Sequence, residues 1–279
     1  MALLDNVAAL SRIYDDLAVR LAKMERAAGI TPADALAGRQ LAVLHRLSKI
    51  EAALQPSATA SAAAAQPSRL PLMRAVDAGG SEVQRRLQAE LLERGLARHV
   101  FCRAPPDYYS RPLEYRQRVV GAASPHHLCK SIVLTNTRAH PSVTDCSDPL
   151  NSKYYLVIVQ YTARLHTQKL MAFVKSLSGG RVAAKYFNMR LAPPEVSDEL
   201  TGFEHNGVSP IGLRTRLPII LSHRVAQLHP DTFFMGAGEV DLKVGLSAAD
   251  FIAAYQPFVT DCTYDDGEGG EEEAAETAG

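Results

Sequence analysis

Residues 154–161 read Tyr-Tyr-Leu-Val-Ile-Val-Gln-Tyr. The run is aromatic and β-branched, and it is apolar at both parities rather than alternating. A strand with one wet face alternates, so this one is expected to be covered on both faces and to lie inside a sheet. Working outward, Ser131–Thr135 (Ser-Ile-Val-Leu-Thr), Pro218–Leu221, Thr232–Met235 and Asp241–Val244 are predicted strands. A helix is predicted from Ser81 to Arg94, with Val83, Leu87, Leu91 and Leu92 on one face and Gly95 as its stop. Glu114–Val120 reads as a helical turn, Gln168–Ser176 as a helix, and Arg224–Leu228 as another turn of helix. A further helix is expected to begin in Arg190-Leu-Ala-Pro-Pro-Glu195 and to contain Val196–Leu200. Ser247 caps a last one through about Tyr255. Strands and helices mix without strict βαβ alternation, which implies an α+β fold with a mixed sheet.

The stretch with no periodicity is Gly202-Phe-Glu-His-Asn-Gly-Val-Ser-Pro-Ile-Gly-Leu213. It is a shaped loop. Gly207 and Gly212 tolerate positive φ and let another group approach the backbone, while Pro210 restricts itself and Ser209. Such a loop either holds a small polar group on bare amides or is an ordinary turn between strands.

Composition bounds the rest. The 279 residues are 47% hydrophobic, enough for one sizeable core with appendages. The formal charge is zero, but Asp265–Gly279 carries seven of the 30 acids and no base. The body is therefore mildly basic, as suits an anionic partner such as RNA, and the tail at 264–279 reads as disordered and solvating. Four widely spaced cysteines without a Cys-x-x-Cys pair argue against a disulfide scaffold and a structural zinc site. Early acids (Asp5, Asp15, Asp16) do not fit a signal peptide, and no apolar run reaches the roughly 18 residues of a membrane span. A cytoplasmic protein with no membrane contact is the expectation.

Val7, Leu10, Tyr14, Leu17, Leu21 and Met24 form a heptad seam over residues 3–28, ended by Gly29. After Thr31-Pro32, a second seam runs through Leu36, Gln40, Val43, Leu47, Ile50 and Leu54. Residues 1–54 thus read as an amphipathic helical hairpin or coiled coil. It serves association, either with itself or with a partner, or it folds back on the main domain. Residues 55–79 read as a flexible Ala/Ser/Pro linker, and 80–263 as the main domain.

Several chemistries are excluded by motif. Gly236-Ala-Gly-Glu-Val-Asp241 begins like a dinucleotide fingerprint but lacks the third glycine and leads into a strand. There is no Walker-type loop, no Gly-x-Ser-x-Gly elbow and no His-Glu-x-x-His helix. His126-His127 is the sole adjacent histidine pair, and no metal-ligand spacing emerges, so no metal or other cofactor is expected. Three side chains have open roles. Lys130, in Leu128-Cys-Lys-Ser-Ile-Val-Leu134, is a snorkelling edge residue or a cation aimed into a pocket. Asp241 caps the glycine turn or faces a site. His205 is structural or part of the loop's site.

Taken in order, Cys129-Lys-Ser-Ile-Val-Leu134, the loop with Asn206-Gly-Val-Ser-Pro210, and Gly236-Ala-Gly-Glu-Val-Asp-Leu-Lys-Val-Gly245 followed by Leu-Ser-Ala-Ala-Asp-Phe-Ile252 resemble the YbaK/ProX-type aminoacyl-tRNA editing domain. The resemblance covers roughly Ser124–Asp261, and about 87–123 looks like the segment preceding the domain in the family's eukaryotic branch. It implies a compact domain with a mixed, barrel-like sheet and flanking helices. It also implies hydrolysis, in trans, of the ester joining a wrong amino acid to tRNA. Several members clear alanine- or cysteine-charged tRNA for proline. By position, Lys130 matches the family's essential lysine, and Asn206–Pro210 its glycine-to-proline loop, with Asn206 where a glycine is common. Asp241 matches an acid beside the pocket, and His205, Gly236 and Gly238 flank the substrate. Amides of Gly207 and Val208 would hold the carbonyl oxygen, as an oxyanion site does. The implied partner is the aminoacylated 3′ end of tRNA, with a synthetase complex or self-association through residues 3–54. The alternative is a non-catalytic tRNA-binding or scaffold subunit of a synthetase assembly.

Overall fold

The computed structural model describes residues 70–264, all within the second of the two units into which the chain divides, Ala64–Gly279. The helices expected over 1–54, most of the 55–79 linker and the acidic tail lie outside the described residues. Residues 70–79, assigned to that linker, are mostly exposed but tied to the domain at several points. Leu70 is buried, Leu72 bridges to Arg98, and the Asp77 N–H donates to Gln88 Oε1 at 2.7 Å.

In chain order the elements are α1 (Glu82–Glu93), β1 (His99–Arg103), α2 (Leu113–Val120), β2 (Cys129–Asn136), β3 (Tyr154–Gln160), α3 (Thr167–Leu177), β4 (Met189–Leu191), α4 (Pro194–Thr201), β5 (Ile219–Ser222), α5 (His223–Ala226), β6 (Thr232–Gly236), β7 (Leu242–Ser247), α6 (Ala248–Tyr255) and β8 (Phe258–Thr260). The strands form two sheets. The five-stranded sheet has the order β4-β2-β3-β5-β8, with β2 antiparallel to β3 and β4, and β3, β5 and β8 mutually parallel. The three-stranded sheet, β1-β7-β6, is antiparallel throughout. A single bridge, Leu128 to Phe234, joins them. The mixed α+β fold matches expectation, but the barrel-like sheet does not. The two sheets stay separate, because their facing side chains fill the space between them and no ladder closes the edges.

The burial of β3 accounts for its sequence. Leu156 and Ile158 point into the core between the sheets, with Leu87 and Leu91 of α1, Val244 and Leu246 of β7 and Phe251 of α6. Tyr155, Val157 and Val159 point the other way, under Leu170 and Val174 of α3. All five are 0% exposed. Each aliphatic side chain so buried contributes roughly 1.5–3 kcal/mol relative to exposure, so any polar residue at these positions is strongly disfavoured. The cap read at Ser247 forms, its Oγ accepting from the Asp250 N–H at 3.1 Å, and Ser81, expected as the first helical residue, is itself the cap of α1, its Oγ accepting from the Gln84 N–H at 3.1 Å.

Three differences from the expected elements share one cause. Arg190 and Leu191 belong to β4, which pairs with Leu134–Asn136 of β2, and the helix expected there starts only at Pro194. β1 and β8 were not expected at all. Each is short, and each is made a strand by a partner far along the chain: β1 pairs with β7 in the register His99 to Leu246, and β8 with β5. Local patterning cannot register such distant partners.

The outer face of the three-stranded sheet is covered by residues 104–122. Tyr108, Val120 and Ala122 pack there with Leu128 and Phe234, and Tyr109 and Cys102 lie beside them. This cover reaches the glycine-bearing loop.

Candidate functional site

The loop at 202–213 and the turn between β6 and β7 meet backbone to backbone. The Gly238 N–H donates to Gly207 O at 2.8 Å. A Cβ on Gly236 would stand 2.8 Å from Val208 O, and one on Gly207 would stand 3.2 Å from Gly238 O. The approach is too close for side chains, which is why glycines occupy these positions. Gly238 also has φ +87°, beside Phe203 and Val83.

Within the loop, Asn206 has φ +66°, in the left-handed region. That explains a glycine at the matching family position, and asparagine is among the residues that best tolerate it. The Gly207 N–H donates to Glu204 O at 2.9 Å, so one of the two amides expected to hold a carbonyl oxygen is already engaged. The Val208 N–H has no acceptor among the described residues. Ser209 and Pro210 are buried behind the loop, where Ser209 Oγ accepts from the Ile211 N–H at 3.2 Å, while His205 is exposed.

Asp241 sits at the rim. Arg103 Nη1 donates to both its carboxylate oxygens at 2.8 Å, and Arg103 Nη2 lies 2.7 Å from Glu239 Oε2. These pairs are half-exposed, so they fix the turn more than they stabilise the fold.

Lys130 lies within β2, opposite Val159 of β3. Cys129 and Val133 face the core between the sheets, while Ile132 and Leu134 face the α3 layer. By strand alternation Lys130 shares the side of Ile132. Its ammonium has no hydrogen bond or ion pair among the described residues, and burial lowers its pKa. The loop and the β6–β7 turn are thus joined by direct contacts, and no hydrogen bond or ion pair joins Lys130 to them.

Two residues that sequence reasoning left without a role sit at the centre of the cluster. Lys243, on β7, is 3% exposed. Its ammonium donates to Val240 O at 2.6 Å and to the Tyr109 hydroxyl oxygen at 2.9 Å, and it lies 4.7 Å from the Tyr109 ring centroid. Burial pushes its pKa down to about 8, aided by Arg116 and opposed by Cys102 and Asp241. The Tyr109 hydroxyl donates to Asn206 O at 2.7 Å. Burial first, then neighbouring Tyr161, raises the Tyr109 pKa, so the phenol stays protonated. The signal was available: Lys243 interrupts an apolar strand, as Lys130 does. Among the described residues no group of three or more His, Cys, Asp and Glu side chains could hold a metal ion, and no helix is long and apolar enough to cross a membrane.

Residues 118–254 match the family model of the aminoacyl-tRNA editing domain. The resemblance read from the motifs is thus met by an aminoacyl-tRNA editing domain match over these residues. Among solved structures, a candidate trans-editing enzyme for prolyl tRNA synthetase is 24% identical, with a TM-score of 0.51 over 67% of this chain and 99% of that chain. A scaffold protein used for epitope backbone grafting by computational design is 20% identical, with a TM-score of 0.50 over 67% of this chain and 99% of that one. Both likenesses concern the fold. No curated protein matches the chain significantly.

Proposed function

We propose that this chain is a trans-acting aminoacyl-tRNA deacylase that hydrolyses the ester of mischarged tRNA, with alanine- or cysteine-charged tRNA for proline as its first candidate substrates. The observation that carries the reading is the match of residues 118–254 to the aminoacyl-tRNA editing domain. The solved trans-editing candidate for prolyl tRNA synthetase has the same fold, which supports the choice of tRNA. In the proposed reaction a water oxygen bonds to the ester carbonyl carbon. The bond to the ribose oxygen then breaks, the ribose leaves as its hydroxyl, and the amino acid is released. An aminoacyl ester is already activated, so no protein nucleophile is required.

The Val208 N–H is the donor assigned to the carbonyl oxygen, and a single such donor is worth roughly 3–4 kcal/mol of transition-state stabilisation. Lys130 is assigned the developing negative charge or the terminal phosphate. An unpaired, half-buried ammonium suits either task, because low local dielectric strengthens its interaction with an anion. Asn206, Ser209 and Pro210 shape the loop, His205 and Asp241 lie at its rim, and Gly236 and Gly238 seat it. Pocket size then sieves the amino acid, since one methylene discriminates by only about 1–3 kcal/mol and a synthetase benefits from a second sieve. Residues 3–54 are assigned to self-association or to docking on a synthetase.

The test is deacylation of tRNA for proline charged with alanine, cysteine or serine, against correctly charged controls, with Lys130→Ala beside wild type. Hydrolysis of one species that disappears in a still-folded Lys130→Ala is the expected result. Full activity in that variant overturns the role of Lys130. No hydrolysis of any species, with measurable tRNA binding, overturns the enzyme in favour of a tRNA-binding scaffold.

A further inference from the structure

We infer that Tyr109 and Lys243 act together as positioning residues that hold the 205–210 loop in its substrate-binding shape. This rests on the reading of that loop as the substrate loop. The inference starts from one peptide plane. Asn206 C=O and Gly207 N–H belong to the same rigid unit. Its carbonyl end accepts from the Tyr109 hydroxyl at 2.7 Å, and its N–H end donates to Glu204 O at 2.9 Å. The plane is pinned at both ends, and it follows a residue in the left-handed region, at φ +66°, which asparagine tolerates better than most side chains. The Val208 N–H, the next along, lies in the plane of Gly207 C=O, which accepts from the Gly238 N–H at 2.8 Å, so the two planes on either side of the Gly207 Cα are both held.

Lys243 fixes the direction of the chain of hydrogen bonds. A protonated lysine donates and cannot accept. The Tyr109 oxygen therefore accepts from Lys243, and its own proton is left for Asn206 O. The second Lys243 bond, to Val240 O, ties this chain to the β6–β7 turn whose Gly238 holds Gly207 O. Arg116 supports the same tyrosine from the other side: Nη2 donates to the Tyr109 carbonyl, and the guanidinium lies 5.4 Å from the Tyr109 ring centroid. The cover over residues 104–122 thus does more than shield the sheet. It reaches across the sequence to the loop through one phenol.

Tyr109→Phe keeps the ring and removes the hydroxyl with its bonds to Asn206 O and from Lys243 Nζ, and Lys243→Met removes the charge at similar length. Two readouts are used. Hydrogen exchange read peptide by peptide, which needs no activity, should show exchange over 205–210 rising about tenfold in both variants and unchanged in the sheets. On whichever charged tRNA the wild type hydrolyses, kcat should fall roughly ten- to a hundredfold with KM changed less than about threefold. The double variant should be no worse than the poorer single, because both act through one bond. Loop exchange equal to wild type in both variants overturns the proposal. So does kcat per folded molecule equal to wild type, or losses that multiply in the double variant. If Lys243→Met does not fold, Tyr109→Phe alone carries the test. A wild type without deacylase activity sinks the proposed function and leaves the exchange result to decide the loop.

Discussion

The contact between Gly236 and the substrate loop allows a test with a worked magnitude. Gly236→Ala places a methyl 2.8 Å from Val208 O and 3.3 Å from Gly207 O. Carbon and oxygen rest near 3.4 Å or beyond, so loop and turn must part by roughly half an ångström. Both partners are backbone, and Gly236 is itself paired in the β6–β7 ladder opposite Lys243, so neither can swing aside. Overpacking of this kind costs about 1–3 kcal/mol. In a domain of this size that lowers the melting temperature by roughly 2–12 °C. A displacement of about 1 Å at a reacting group costs on the order of a hundredfold in rate, so half of that predicts about tenfold. Gly80→Ala is the control. Its methyl also meets an atom at 2.8 Å, but that atom belongs to the flexible end of the Gln84 side chain. Its stability should stay within about 0.5 kcal/mol of wild type. The assays are thermal denaturation and deacylation of the hydrolysed tRNA. A Gly236→Ala protein with wild-type melting and wild-type rate, or a Gly80→Ala protein equally damaged, would refute the steric reasoning.

Three further outcomes are expected. Asn206→Ala should be about 1 kcal/mol less stable than Asn206→Gly in urea denaturation, because alanine pays the left-handed conformation at φ +66° and glycine does not; equal midpoints would contradict this. Lys243 has a folded pKa of about 8 against an ordinary 10.5. Between those values the unfolded chain binds more protons, so the contribution of Lys243 to stability rises with pH through that window and is least favourable below it. The stability of Lys243→Met relative to wild type should therefore fall by up to about 3 kcal/mol as pH goes from 8 towards 10.5, read by denaturant midpoints at each pH; a flat difference would remove the burial argument. Deleting residues 1–54, on the strength of their two apolar seams, should reduce self-association in sedimentation while sparing hydrolysis of free charged tRNA, and loss of hydrolysis by a folded truncation would reassign that segment.

What was legible in the sequence follows from where the relevant forces act. β3 declared itself because both its faces are buried and its composition had to answer to both. The cap at Ser247 is satisfied within three residues, so a local reading suffices. β1, β4 and β8 exist because distant strands pair with them, and nothing within five residues of His99 or Phe258 encodes that partner. The separation into two sheets was likewise a matter of packing between layers.

The candidate site divides along the same line. Its glycines could be found by composition, and the structure supplies their reason: Gly207 and Gly236 permit one backbone to lie against another, and Gly238 takes φ +87° beside Phe203 and Val83. Lys130 and Lys243 gave the same local signal, a cation in an apolar strand, and the structure separates them. Lys243 is spent on Val240 and Tyr109, so its charge is committed to holding backbone and phenol in place. Lys130 has no such commitment among the described residues, and under the proposed function its half-buried ammonium is left for an anion brought from outside. Of the two lysines, the one that builds the loop is therefore expected to set how well substrate is aligned, and the unpaired one to set whether it reacts. Lys243→Met should leave a weakened enzyme whose residual activity still depends on Lys130, and a Lys130→Ala protein should be equally inactive with or without Lys243. Residual hydrolysis in Lys130→Ala that vanished only on adding Lys243→Met would reverse these assignments.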